Sequence, residues 1–317
     1  MIATAPGKLI VTGEYAVLDG APALVLAIDR RAVARIVSAR AHGSSPFLLA
    51  VAAELAARRG ADDPAARAAL AIGVDSSAFY DGPTKLGLGS SAAVTVAAAA
   101  CALGATGVPL DRDEVLSVAL AAHATAQGAR GARGSGADIA CAVHGGAIVF
   151  TKASVERTHW PASVTLLPFF TGVAADTATL VAKITAARAA HPVALDAALA
   201  AIGAASRAAC AACKAPPDLA ASALISALAL AGSAVERLGT AAGVDLVPAC
   251  VSAARSAMSR FGGTAKTTGA GGGDVGIAVI PSTADVPRAT RALIETGCRP
   301  LSLSVDIAGV DLRSDAS

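Results

Sequence analysis

Three glycine-rich segments of this chain combine flexible backbone with residues able to hold or move charge. The first runs Asp81-Gly82-Pro83-Thr84-Lys85-Leu86-Gly87-Leu88-Gly89-Ser90-Ser91-Ala92-Ala93. Glycines without Cβ let backbone N–H groups close around an anion, and a helix starting near Ser90 aims its positive dipole end at the same place. The hydroxyls of Ser90 and Ser91 sit where they can bond a phosphate oxygen or a magnesium ion. This is a phosphate cradle, with contacts expected from Gly87, Leu88, Gly89, Ser90, Ser91 and Ala92. It is not a Walker A loop, because no Gly-Lys-Ser/Thr closes it. Gly87-x-Gly89-x-x-Ala92 also fits a dinucleotide fingerprint. That fingerprint must follow a strand directly, whereas Gly82-Pro83 interrupts the approach here.

The second segment, Gly128-Ala129-Arg130-Gly131-Ala132-Arg133-Gly134-Ser135-Gly136-Ala137-Asp138, places a carboxylate beyond a cationic loop. It suits an active site that handles anions, and equally a surface loop whose Asp caps the next helix. The third, Lys266-Thr267-Thr268-Gly269-Ala270-Gly271-Gly272-Gly273-Asp274, offers backbone that can approach a ligand closely. A flexible hairpin is its other reading.

The elements that must position these loops alternate between strand and helix. Lys8 to Thr12 reads as a strand, Asp19-Gly20 as a hairpin turn, and Ala23 to Ile28 with Ala32 to Val37 as further strand. Pro46 to Arg59 has helical spacing, with Leu48, Val51, Ala52 and Leu55 on one face. Ala69 to Val74 is a candidate strand. Helices follow from Ser90 to Leu103 and from Asp111 to Ala126, then a short one to Val143 and a strand Gly146 to Phe150. The polar stretch Lys152 to Pro161 looks like a boundary, dividing the chain into 1–160 and 161–317. Beyond it come a strand (Thr165 to Phe170), three or four helices over 176–260, a strand (Val275 to Ile280), a helix (Val286 to Thr296) and a last strand (Leu301 to Asp306). The class is α+β.

Composition narrows the function. One Trp and two Tyr leave little for stacking on bases, and a formal charge of +2 without a Lys/Arg run of five argues against nucleic acid or an anionic membrane as partner. Cysteines 101, 141, 210, 213, 250 and 298 are scattered, and Cys210-x-x-Cys213 lacks a second ligand pair, so they read as thiols in a reducing compartment. The N-terminus lacks a signal-peptide pattern. Leu86 to Leu110 is uncharged and long enough to span a bilayer, but its serines, Pro109 and alanines fit a buried helix better. A soluble, cytoplasmic protein is expected.

The three segments together, with Ala5-Pro6-Gly7-Lys8-Leu9-Ile10-Val11-Thr12-Gly13-Glu14-Tyr15-Ala16-Val17-Leu18 ahead of them, resemble the signatures of the GHMP kinases in order and spacing from residue 5 to about 280. The resemblance implies an N-terminal domain similar to ribosomal protein S5 and a ferredoxin-like C-terminal domain with added helices. ATP and Mg²⁺ are the implied cofactors, with a small-molecule acceptor in the cleft between the domains, in a monomer or homodimer.

Within that family, four details resemble the phosphomevalonate kinases: Gly13-Glu14-Tyr15 where mevalonate kinases usually carry Gly-Glu-His, Lys85 two residues before the loop, Ser135-Gly136-Ala137-Asp138, and Asp274 after the third glycine run. Phe170-Thr171-Gly172 with Thr177 and Leu180 fits as well. A phosphate nucleophile is largely ionised at neutral pH, its second pKa being about 6. It needs a base less and extra cations more. The resemblance implies catalytic roles for Lys8, Lys85 and Asp138, acceptor contacts from Lys8, Ser135, Gly136, Gly269, Ala270 and Gly271, and Ser91 as the magnesium contact. The arginines of the 128–136 loop would add charge. Glu14 is read either as partner to a cleft cation or as one half of a structural salt bridge. Gln127 stands where mevalonate kinases place a magnesium-binding Glu, which argues against that branch.

Overall fold

Strand β1 (Ile2–Thr12) pairs antiparallel with β2 (Ala23–Ile36) along nearly its whole length, and the phosphate-loop helix lies across both. The computed structural model describes residues 1–37, 45–129, 131 and 134–314. The two strand runs expected over 23–37 form one continuous strand. Its connection to β1 is not the expected tight hairpin: Ala16–Asp19 makes a 3₁₀ turn, closed by Gly20 in the left-handed region.

After β2 come α1 (Pro46–Arg59), α2 (Pro64–Ala69), β3 (Ile72–Asp75) and a small hairpin of β4 (Tyr80–Asp81) and β5 (Thr84–Lys85). Helix α1 opens on Pro46 and buries Val51, Ala52 and Leu55, the face its spacing predicts. Helix α3 (Ser90–Gly104) is buried at thirteen of its fifteen residues, so the apolar run from Leu86 is a core helix. Its alanines explain why: small side chains let the helix lie close on β1 and β2, with α1, α4 (Arg112–Gly128) and α5 (Ala137–His144) covering it. Asp111 caps α4, its carboxylate accepting from the Asp113 amide at 2.9 Å. Strands β6 (Ala147–Phe150) and β7 (Val155–Thr158) complete this half, the latter inside the stretch read as a polar boundary.

The second half contains β8 (Val164–Phe170), α6 (Thr177–Ala190), α7 (Pro192–Ala212), α8 (Pro217–Ala242), α9 (Ala249–Ser259), β9 (Thr264–Thr267), β10 (Val275–Pro281), α10 (Val286–Ile294), β11 (Arg299–Pro300) and β12 (Asp311–Arg313). One antiparallel sheet runs β12-β1-β2-β6-β7, with β3 also on β2, and another runs β11-β8-β10-β9. Helices α7 and α8 are long and apolar enough to cross a membrane by length and composition, but here they pack on each other. Helix α7 also meets β1 and β2, and α8 meets β9 and β10, so the pair bridges the two sheets.

The strand expected over 301–306 is mostly irregular. Its backbone follows β2 through single bonds, Asp29 N–H to the Ser304 carbonyl (3.0 Å) and Asp306 N–H to the Ala27 carbonyl (2.9 Å). Arg31 pairs with Asp306 and donates to the Gly309 carbonyl at 2.6 Å, pinning this return to the first sheet. None of the six cysteines forms a disulfide, and five of them are buried.

Candidate active site

The loop read as a phosphate cradle leads into a helix, as its sequence predicts. Residues 86–89 turn from β5 into α3, and Gly87 and Gly89 both lie at positive φ, 71° and 80°. Gly89 is the N-cap of α3, so the amides of Ser90, Ser91 and Ala92 occupy the first turn, where no intrahelical acceptor exists. These donors and the dipole suit an anion. The loop is tied to β1 by the Lys8 amide, which donates to the Leu88 carbonyl at 2.9 Å.

Both glycines are needed for space as well as for backbone angle. A Cβ on Gly89 would lie 2.8 Å from Cγ and 3.0 Å from Cε of Lys8, so the lysine chain runs directly over the loop. A Cβ on Gly87 would fall 2.5 Å from Cβ and Cγ of Asp274. The third glycine segment therefore packs on the first. Asp274 sits at φ 52°, its carboxylate accepting from the Ala175 amide at 3.1 Å and its carbonyl accepting from the Thr171 amide (2.9 Å) and hydroxyl (3.0 Å). Burial pushes its carboxyl up, while that bond and the charges of Lys8 and Lys85 pull it down.

Ser91 presents its hydroxyl 3.3 Å from Nε2 of His123 on α4, and His123 stacks on Phe47 with ring centroids 5.2 Å apart. Burial lowers the His123 pKa, partly offset by the charge of Asp138. A neutral imidazole beside a serine hydroxyl can fix the direction of its lone pairs. His123 was missed in the sequence, where it is one polar residue in an alanine-rich helix.

Asp138 lies in the first turn of α5, whose N-cap is Gly136, and the Ser135 hydroxyl just before it accepts from the Ala137 amide at 3.2 Å. Asp138 and Lys8 share a neighbour, the buried Cys141 thiol. Burial raises its pKa most, with Lys8 lowering and Asp138 raising it further. Among the described residues, Lys8 and Asp138 form no direct ion pair. Gln127 reaches toward the same loop, a Cβ on Gly134 falling 2.5 Å from its Oε1. Arg130 and Arg133 lie outside the described residues. Lys85, at the end of β5, is exposed.

Glu14 does not face a ligand. It pairs with Lys266 on β9, both side chains sealed from solvent, and the ammonium also donates to the carbonyls of Val11 (2.9 Å) and Thr267 (2.6 Å). The structural salt bridge is therefore the right one of the two readings. Next to it the Tyr15 hydroxyl donates to the Ala270 carbonyl at 2.6 Å, so the turn after β1 holds both β9 and the Gly269–Gly273 segment that follows it, at one point each. The Gly272 amide donates to the Leu246 carbonyl at 2.8 Å, which backs the same segment from the loop after α8.

Residues 46–146, which include the phosphate loop and Asp138, match the family described as GHMP kinases N terminal domain. Over 96% of its length, and 97% of the relative's, the chain is 29% identical to the phosphomevalonate kinase of Streptomyces sp. (strain CL190). It is 33% identical to the mevalonate kinase of Aeropyrum pernix, over 54% of the chain and 57% of that enzyme. Its fold is that of the Streptococcus pneumoniae phosphomevalonate kinase solved with phosphomevalonate and AMPPNP, with a TM-score of 0.77 at 19% identity, covering 96% of this chain and 99% of that one. Both halves of the GHMP kinase fold are thus present, in an α+β chain.

Proposed function

We propose that this chain is a GHMP kinase that transfers the γ-phosphoryl group of MgATP to the phosphate of 5-phosphomevalonate, giving 5-diphosphomevalonate and ADP. The observation that carries the reading is the placing of two lysines about one phosphate loop, Lys8 lying over Gly89 and Lys85 two residues before Gly87. Two anions must be brought together in this reaction, and fixed cations on both sides of the loop lower that cost. The likeness to a phosphomevalonate kinase over nearly the whole chain supports the same acceptor.

In this reading an acceptor phosphate oxygen attacks the γ-phosphorus, the bond to the β–γ bridging oxygen breaks, and ADP leaves. The amides of Gly87 to Ala92 hold the nucleotide phosphates in line. Lys8 reaches from β1 to the transferring group, and Lys85 meets charge growing between the two phosphates. Asp138 orients Lys8 or the metal, and accepts a proton only from an acceptor that arrives protonated. Ser135, Gly136 and the Gly269-Ala270-Gly271 backbone line the acceptor side. The chain is read as two units, 1–160 and 161–317, acting in the cytoplasm as monomer or homodimer.

The donor set suits a magnesium ion held chiefly by phosphate oxygens and water. Among the described residues no group of three or more His, Cys, Asp or Glu side chains is arranged to hold a metal, while Ser91, aimed by His123, and Asp138 supply oxygens at two helix starts. When bound there, the ion would neutralise charge on the β- and γ-phosphates.

Mevalonate as acceptor is the rival reading, favoured by the partial likeness to the Aeropyrum pernix enzyme. Coupled ADP-release assays with phosphomevalonate, mevalonate, homoserine and galactose separate the two. Turnover of mevalonate with none of phosphomevalonate would sink the proposed acceptor.

A further inference from the structure

Asp274 is held more tightly than a loop residue needs to be. Its amide donates to the Val173 carbonyl at 2.6 Å, its carbonyl takes two bonds from Thr171, and its carboxylate takes one from Ala175. Those partners all lie in the connection between β8 and α6. The backbone sits in the left-handed region at φ 52°, which Asp tolerates better than most residues but does not prefer. The result is to press a half-buried carboxylate into the space left by the missing Cβ of Gly87. A negative charge fixed against a phosphate cradle is unfavourable for binding phosphate, so its presence there requires a reason. Two nearby cations supply one, acting through space without a direct ion pair among the described residues: Lys8, whose chain crosses Gly89 two residues on, and Lys85, two residues before Gly87.

We propose that Asp274 is a positioning residue, whose locked carboxylate holds the ammonium groups of Lys8 and Lys85 at the mouth of the phosphate loop, between donor and acceptor. This inference rests on the reading of the loop as a phosphoryl-transfer site. Without the carboxylate the two lysines repel each other and turn toward solvent or toward the nucleotide phosphates. Phosphate binding then survives, but the cations no longer stand on the transfer path. The proposal therefore predicts a loss of turnover without a loss of binding, which a purely structural role would not produce.

The test compares wild type with Asp274→Asn, which keeps the acceptor for Ala175, and with Asp274→Gly, which adopts the same φ freely. Both are expected to lower kcat about tenfold, with the Kd for MgATP unchanged or tighter and the melting temperature little altered. In a Lys85→Met background, Asp274→Asn should cost about threefold rather than tenfold, because one of its two partners is already gone. Loss of kcat in proportion to loss of MgATP binding and thermal stability would overturn the proposal, as would full additivity with Lys85→Met or kcat within twofold of wild type in both variants. The assay uses whichever acceptor of the panel the wild type turns over, so a wrong acceptor does not count against Asp274. If none is turned over, the same cycle is read on MgATP affinity by calorimetry. Asp274→Asn binding MgATP as tightly as wild type or tighter then supports the proposal, and weaker binding overturns it.

Discussion

Lys266 donates to Glu14 across the seam between the two sheets, with 1% and 0% of the respective side chains exposed. One residue ends the approach to the third glycine segment and the other follows the strand that carries Lys8. Burial pushes the Glu14 carboxyl up despite the pull of Lys266. Removing one partner strands the other in a dry interior. Lys266→Met should destabilise the protein by roughly 3–5 kcal/mol, and adding Glu14→Gln should recover a large part of that loss. Chemical denaturation of the three variants measures both. A single variant as stable as wild type would mean the pair contributes nothing to the join.

The Tyr15 hydroxyl bond to the Ala270 carbonyl is the second point of that join. Tyr15→Phe keeps the ring and removes the donor, at a stability cost of about 1 kcal/mol. The carbonyl then loses its tether on the acceptor side only. Steady-state kinetics should show KM for the acceptor rising several-fold while KM for ATP stays put. A change in the ATP term alone would place the Gly269–Gly273 segment against the nucleotide instead.

Gly89→Ala tests the crossing of Lys8 over the loop. The new methyl meets the lysine chain at 2.8 Å and the residue must hold φ near 80°. The left-handed backbone costs about 1–2 kcal/mol of stability. Displacement of Lys8 should lower kcat by about tenfold or more. Wild-type kcat in a folded variant would show that Lys8 need not lie there for transfer.

Most of the architecture was legible because its signals are local. Apolar spacing marked α1, and glycine and serine marked the start of α3. The misses have physical causes. The Asp19-Gly20 pair carries the residues of a hairpin turn, yet Glu14 and Tyr15 are committed to β9 and the third glycine segment, so the chain rounds them in a 3₁₀ turn. The last strand failed because residues 301–306 bond β2 at single points, a long-range arrangement no alternation pattern encodes. Among site residues, the three glycine segments and Lys8 could be read directly. The Lys266 partner of Glu14, the His123 imidazole at Ser91 and the seat of Asp274 on Gly87 are tertiary contacts between distant residues. Only the fold reveals them.

Lys85 is exposed at the end of a two-residue strand, so its replacement should leave the fold intact. Lys85→Met is expected to change stability by less than about 0.5 kcal/mol. Its kcat should fall by about a hundredfold, with thermal melting as the control. Near-normal turnover would reduce Lys85 to a solvated surface cation and remove one of the two charges on which the acceptor assignment rests.

The central claim is that the nucleophile is a phosphate oxygen. Phosphorus NMR of the reaction of MgATP with 5-phosphomevalonate tests it most directly. The account predicts that the acceptor's monoester resonance disappears and that a pair of coupled diphosphate resonances replaces it as ADP accumulates. An unchanged phosphomevalonate signal, with a new monoester formed only when mevalonate is supplied, would contradict it.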